Sequence, residues 1–422
     1  MAGRWDVITV FLYHLVLHVV QPVLQYVLDL AFGPRTKHPD NESFPCYDVL
    51  INFKLHMTWC NGINWFLLKF RKMADIAVIE HEDVHLYSVS LHEFHFVRVK
   101  RGINLSDVEK HPIMWFSKHD YATEVIIVPH EPVYKYIMKR PDRDGRNITI
   151  IHNTGRCGST LLASMIHRTK QCQVISEPFP LLRFSQLTNM ASDIRPLDCA
   201  ENLKLLKAMM IILCNDPTKL YCIKPTGVYS GNLVHLFHKI LPEIKEIFMY
   251  RALKPTISSW KRILGPVYLS LATARGAKAY QSIKYRRIFE KIDAAKRHAL
   301  EKRIFTLLCT MHPFFLECAD RKDLTSYSYE SLLTDRERFC RSLLSKIGID
   351  EKHVASALTA MERDSHDNTA LSRSPIGGNA GFIPEETLQW ARKVAKEEFG
   401  IELEGEDCVI LNVPNSWTLR SE

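Results

Sequence analysis

Residues 148–166 limit most strongly what this chain can fold into. The apolar run Ile148-Thr149-Ile150-Ile151 leads through His152-Asn153-Thr154-Gly155-Arg156-Cys157-Gly158-Ser159-Thr160 into Leu161-Leu162-Ala163-Ser164-Met165-Ile166. That is a strand, a tight loop with two glycines, and a helix. Glycine adopts the backbone angles that turn amide N–H groups inward, and a helix N-terminus offers unpaired donors and partial positive charge. The unit therefore reads as an anion-binding loop, with Ser159 and Thr160 adding hydroxyl donors. It departs from the triphosphate loop G-x-x-x-x-G-K-[ST], because Ser159 stands where lysine is required.

The pattern after this loop alternates. Short apolar runs at Gln173 to Ile175, Leu220 to Ile223, Glu246 to Tyr250 and Leu324 to Tyr327 are separated by longer helical patterns, clearest at Leu203 to Leu213, Val234 to Ile240 and Phe339 to Ile347. Strands alternating with helices predict an α/β unit with a parallel sheet flanked by helices, and we place it at 146–422 after the charged turn Pro141 to Arg146. Residues 47–145 read as a mixed region with strand composition at Ile76 to Ile79, His95 to Val99 and Glu124 to Val128. Residues 1–46 form an N-terminal segment and a Pro- and polar-rich loop.

From Val7 to Leu28 there is no formally charged side chain, which is length enough to cross a bilayer. Yet His14, His18, Gln21 and Gln25 fall on one helical stripe that Asp29 continues, and Pro22 interrupts the run. Two readings stand: an amphipathic helix packed on its own protein or on a membrane surface, or a transmembrane anchor.

The formal charge of +8 suits an anionic ligand, while the scattered Lys and Arg residues and the absence of zinc-finger spacing argue against nucleic acid. Eleven cysteines without a CxxC pair indicate neither a structural zinc site nor a dense disulfide framework. His81-Glu82-Asp83-Val84-His85 matches H-E-x-x-H, but that motif holds zinc on a helix and the surroundings here are strand-like. No metal is expected.

A second motif gives the loop a context. Gly155-Arg156-Cys157-Gly158-Ser159-Thr160-Leu161-Leu162 resembles the 5'-phosphosulfate loop of sulfotransferases that use 3'-phosphoadenosine 5'-phosphosulfate (PAPS). Phe248-Met249-Tyr250-Arg251 followed by Ser259 is similar to that family's strand-and-helix for the 3'-phosphate. Ser176-Glu177-Pro178-Phe179 resembles the Glu-Pro of the carbohydrate branch, Tyr329-Glu330-Ser331-Leu332-Leu333 resembles a Tyr-Glu-x-Leu segment of the family, and Lys224 ends a strand where these enzymes often carry a lysine. The likeness is closer to the carbohydrate, membrane-type branch than to the cytosolic one. No Arg-Lys-Gly-x-x-Gly-Asp segment is present; Ser372 to Gly378 is its candidate counterpart, and no histidine follows Lys224 closely.

The resemblance implies PAPS as cofactor and transfer of its sulfuryl group to a hydroxyl or amine of an unidentified acceptor, a glycan or small molecule. It implies that Gly155, Arg156, Cys157, Gly158, Ser159 and Thr160 hold the 5' end and that Arg251 and Ser259 hold the 3'-phosphate. Arg156 and Lys224 are the expected charge stabilisers, and Glu177 is the candidate general base if burial raises its pKa. The expected setting is intracellular, either cytoplasmic or at the Golgi membrane, with membrane contact through residues 7–28. The alternative from another class is a non-catalytic nucleotide-binding or membrane-associated scaffold.

Overall fold

The computed structural model describes residues 15–32, 43–53, 62–140, 144–191, 196–226, 233–263, 324–364, 383–411, 413 and 416–417. Ser372 to Gly378, the start of the 7–28 run and Gly227 lie outside the described residues.

The first half holds helix α1 (Gln21–Phe32), strands β1 (Ser43–Asn52), β2 (Phe66–Asp75), β3 (Val84–Val89) and β4 (Glu93–Val99), helix α2 (Met114–Asp120), β5 (Ala122–Pro129) and α3 (His130–Ile137). The second half runs β6 (Ile148–Asn153), α4 (Ser159–Arg168), β7 (Cys172–Ser176), α5 (Phe179–Ala191), α6 (Ala200–Leu213), β8 (Leu220–Lys224), α7 (Val234–Ile240), β9 (Lys245–Tyr250) and α8 (Leu253–Ile263). It continues with β10 (Leu324–Ser328), α9 (Tyr329–Thr334), α10 (Arg336–Ile347), α11 (Val354–Leu358), α12 (Glu385–Phe399) and a two-stranded ribbon, β11 (Leu403–Glu404) with β12 (Val409–Ile410).

Strands β6 to β10 form one parallel five-stranded sheet in the order β10-β9-β6-β8-β7, flanked by helices, as the alternation predicts. Successive side chains of a strand point to opposite faces, and the two faces are filled by different helices. Ile150, Ile175, Tyr221 and Ile223 pack with Leu206, Met209 and Phe237 of α6 and α7. Ile151, Val174, Cys222 and Met249 pack with Leu162, Met165, Phe339 and Leu343 of α4 and α10. A sheet covered on both faces has no use for polar positions, which is why its strands read as continuous apolar runs.

Two buried polar residues in this sheet are paired rather than wasted. Glu246 of β9 meets His152 of β6 at 2.8 Å and His238 of α7 at 2.6 Å, tying the strand that feeds the glycine loop to its neighbour. Strand β6 is the central strand, with the chain passing first to β7 on one side and later to β9 on the other. The crevice beyond its C-terminal end is where open α/β sheets place ligands.

The first half builds an antiparallel five-stranded sheet, order β2-β1-β5-β4-β3. One face (Phe44, Leu86, Phe96, Ile126) joins the core that also holds Ile150 and Leu206, so the two sheets share apolar packing. Ile76 to Ile79, expected as strand, is a 3₁₀ helix spanning Ile76–Glu80. The reason is local: the Asp75 carboxylate accepts from the Ala77 N–H at 2.7 Å, a cap that starts a helical turn where composition alone favours extension.

Pro22 does not end the N-terminal helix. The preceding turn, Val16–Val20, is widened to π-helical spacing, and the Gln21 N–H donates to the Val16 carbonyl, which relieves the clash a proline ring makes one turn back. Gln21 and Gln25 of the polar stripe face the protein. Gln25 donates to the Leu68 carbonyl at 2.8 Å and accepts from the Leu68 N–H at 2.9 Å, and Gln21 donates to the Phe66 carbonyl at 3.2 Å. Four residues of helix advance about 6 Å and two residues of strand slightly more, so glutamines spaced i, i+4 match the outward groups of the edge strand β2. Side-chain amides thus cover an edge whose groups would otherwise be open to pairing. Among the described residues no helix is long and apolar enough to cross a membrane.

Candidate functional site

The loop between β6 and α4 doubles back through three left-handed residues, with φ of 71° at Gly155, 55° at Arg156 and 86° at Gly158. For Arg156 that conformation carries strain of about 1–3 kcal/mol, a cost that recurs at ligand clamps. Asn153 supports the turn: its side-chain oxygen accepts from the Gly155 N–H at 3.0 Å and its amide donates to the Pro225 carbonyl at 3.0 Å. Cys157 faces the core, where burial raises its thiol pKa, so within the loop it is packing and not a reactive group.

Both glycines are required by their neighbours. A Cβ on Gly155 would lie 2.7 Å from the Trp260 ring, and one on Gly158 would lie 2.4 Å from the Tyr329 ring. Replacing Gly158 with alanine is therefore expected to destabilise the fold by more than Gly102→Ala. The two glycines share φ of 86°, but Gly102 has nothing within 4 Å, so its variant carries only the backbone strain of about 1–3 kcal/mol. Thermal melts of the two variants measure the difference; equal losses would mean that the Tyr329 ring moves aside freely.

Tyr329 links the loop to the second motif. Arg251, directly after β9, lies over the Tyr329 ring at 4.7 Å, and its buried Nε has no hydrogen-bond partner among the described residues. Glu330 accepts from the Ala252 N–H at 3.2 Å and fixes the turn into α8. On α8 the buried Ser259 accepts from Arg156 Nε at 2.9 Å. The loop and the strand-end motif, far apart in sequence, thus meet in one place.

A second group lies on the other flank. The Lys224 ammonium, at the end of β8, is 2.5 Å from Glu177 Oε1 and 3.2 Å from the Thr160 hydroxyl. Thr226 donates to the other Glu177 oxygen at 3.4 Å. Lys224 is only 1% exposed, whereas Glu177 is 18% exposed, so the carboxylate is the member that solvent reaches. Glu177 also has a left-handed backbone, φ 52°, held by its N–H donating to the Lys224 carbonyl at 2.6 Å. Glu177, the candidate general base, thus stands in an ion pair with Lys224.

All of the residues singled out for this site, Gly155 to Thr160, Glu177, Lys224, Arg251 and Ser259, lie at the C-terminal ends of β6, β7, β8 and β9 or on the helices that follow them. Tyr329, Trp260, Thr226 and Asn153 also take part in this site; the Tyr-Glu segment is the signal in the sequence for the first, and the other three carry none. The H-E-x-x-H residues do not form a helical pair. His81 sits in a turn, 2.7 Å from Asp83, and His85 is on β3, where burial lowers its pKa to about 3. Among the described residues no cluster of three possible metal ligands occurs.

No family model and no curated protein matches this sequence. Solved structures to which the chain is similar include retinol dehydratase in a complex with retinol and PAP, at TM-score 0.34 and 12% identity, covering 64% of this chain and 86% of that one. Mouse sulfotransferase SULT7A1 complexed with PAP aligns at TM-score 0.36 and 11% identity over 64% of this chain and 91% of that one. Sulfotransferase STF9 from Mycobacterium avium aligns at TM-score 0.37 and 11% identity over 65% and 83%. Overlap of this extent assigns no activity.

Proposed function

We propose that the chain is a sulfotransferase that binds PAPS in the crevice above β6 and passes its sulfuryl group to a hydroxyl or amine of an acceptor of the glycan or small-molecule class. The observation that supports this most is the Arg156–Ser259 hydrogen bond, which joins the two sequence motifs that the resemblance pairs around one nucleotide. The buried Arg251 Nε, without a hydrogen-bond partner among the described residues, fits an anion as its ligand, because a buried donor left unpaired costs about 1–3 kcal/mol. The catalytic unit on this reading is 146–422, and the Glu-Pro after β7 favours the carbohydrate branch.

Each residue then has a physical task. Loop amides around Gly158, with Ser159 and Thr160, hold the 5'-phosphate at the start of α4. Arg251 and Ser259 hold the 3'-phosphate, the guanidinium as a planar fork kept in orientation by the Tyr329 ring. When bound, PAPS supplies an activated sulfuryl group, and negative charge passes to the nucleotide as the acceptor oxygen or nitrogen attacks. Arg156 and Lys224 are the cations near that charge, and Lys224 reaches the loop through Thr160. Glu177, the member of the pair that solvent reaches, is the base that takes the acceptor's proton, its carboxylate oriented by Lys224 and Thr226.

A thermal melt tests the reading. The product nucleotide 3',5'-diphosphoadenosine, at a hundredfold excess over its dissociation constant, adds about 2.7 kcal/mol of stability and raises the melting temperature by several degrees. ATP should not. An equal rise with ATP, or none with the diphosphate, overturns it.

A further inference from the structure

The N-terminal helix is inverted relative to an ordinary surface helix. Such a helix buries its apolar stripe and exposes its polar one. Here Gln21 and Gln25 are buried against β2, and Val19, Val23, Tyr26, Val27 and Leu30 are 49%, 55%, 65%, 54% and 69% exposed. These five positions are spaced i, i+4, i+7, i+8 and i+11, which is one continuous stripe along the helix.

The border of the stripe is basic. Lys69 lies 4.2 Å over the ring of Phe32, the last residue of α1, and the exposed Arg71 and Lys72 follow on the same strand. Arg71 is already paired on its own sheet, with Asp48 at 3.4 Å and Glu124 at 3.7 Å, which leaves Lys69 and Lys72 as the cations facing outward from this strand. In the sequence Arg35 and Lys37 come next after the helix, and no charged side chain occurs from Val7 to Leu28. An apolar stripe bordered by lysine and arginine is the pattern of a helix lying in the plane of a bilayer that carries anionic lipid.

We infer that α1 and the adjoining edge strand β2 dock on an anionic membrane surface, the apolar stripe entering the interfacial layer and Lys69 and Lys72 meeting lipid phosphates. The helix lies on the bilayer and does not span it, because the Leu68 backbone occupies both hydrogen-bonding groups of Gln25 and keeps one side of the helix on protein. This inference does not depend on the reaction proposed above.

Co-sedimentation of the full chain with phosphatidylcholine vesicles containing roughly 30% phosphatidylserine tests it, with pure phosphatidylcholine vesicles alongside. The triple variant Val23→Glu, Val27→Glu, Leu30→Glu changes exposed positions only, and its melting temperature should match the parent's. Parent protein should pellet with the anionic vesicles at least tenfold more than the triple variant, and less with the neutral ones; Lys69→Glu with Lys72→Glu should weaken the anionic binding selectively. Equal pelleting of parent and triple variant, or none by the parent, overturns the inference. So does a parent dimer that the triple variant abolishes without any vesicle binding, which would assign the stripe to a second copy of the chain.

Discussion

Replacing Lys224 with methionine is expected to lower sulfuryl transfer about 10²- to 10³-fold, the range observed when a single preorganised donor is removed from developing negative charge. Methionine keeps the unbranched apolar stem but removes the ammonium that faces both Thr160 and Glu177. The loss should fall mainly on turnover. Of the groups assigned to the nucleotide's two phosphates, the Lys224 ammonium bonds the Thr160 hydroxyl alone among the described residues, while the loop amides, Ser159, Arg251 and Ser259 keep their places without it. Affinity for 3',5'-diphosphoadenosine should therefore change by a few-fold at most. A matching loss of affinity and turnover would instead mean that removal of the ammonium disorders the loop through Thr160. Steady-state kinetics with PAPS and calorimetry with the product nucleotide separate these outcomes.

Arg251→Ala should do the reverse. Truncating one partner of a buried, hydrogen-bonded charge pair costs about 2–5 kcal/mol, so the dissociation constant for 3',5'-diphosphoadenosine should rise by roughly 30-fold or more. Arg251→Lys should recover part of the loss, because it restores charge but not the planar fork or its packing on Tyr329. A nucleotide lacking the 3'-phosphate should bind parent and Arg251→Ala protein alike, which ties the effect to that group. If Arg251→Ala bound both nucleotides as tightly as the parent, the guanidinium would be reduced to a packing partner of Tyr329.

Much of this arrangement was legible in the sequence, for identifiable reasons. The parallel sheet announced itself because strands covered on both faces must be apolar throughout, as at Ile148 to Ile151 and Leu220 to Ile223. The loop was legible because only glycine satisfies the backbone at positions 155 and 158. Other features were hidden because they depend on partners distant in sequence. Nothing near Gly158 tells that the ring of Tyr329 closes over it, or that Lys224 would be paired with Glu177. At Ile76 to Ile79 apolar β-branched residues suggested extension, and a single capping aspartate, Asp75, decided otherwise. The stripe of Gln21 and Gln25 was visible as a stripe, but periodicity tells only that the two faces of a helix differ. Which face meets protein was set by the unpaired edge of β2.

The crevice above β6 is the proposed site for a 3',5'-bisphosphorylated adenosine. Calorimetric titration of the full chain with 3',5'-diphosphoadenosine, beside a non-hydrolysable ATP analogue, tests that most directly. One site per chain for the diphosphate, weakened in Arg251→Ala, with no heat from the ATP analogue, is the predicted result. A folded protein that binds neither nucleotide, or binds the ATP analogue as well as the diphosphate, would contradict it.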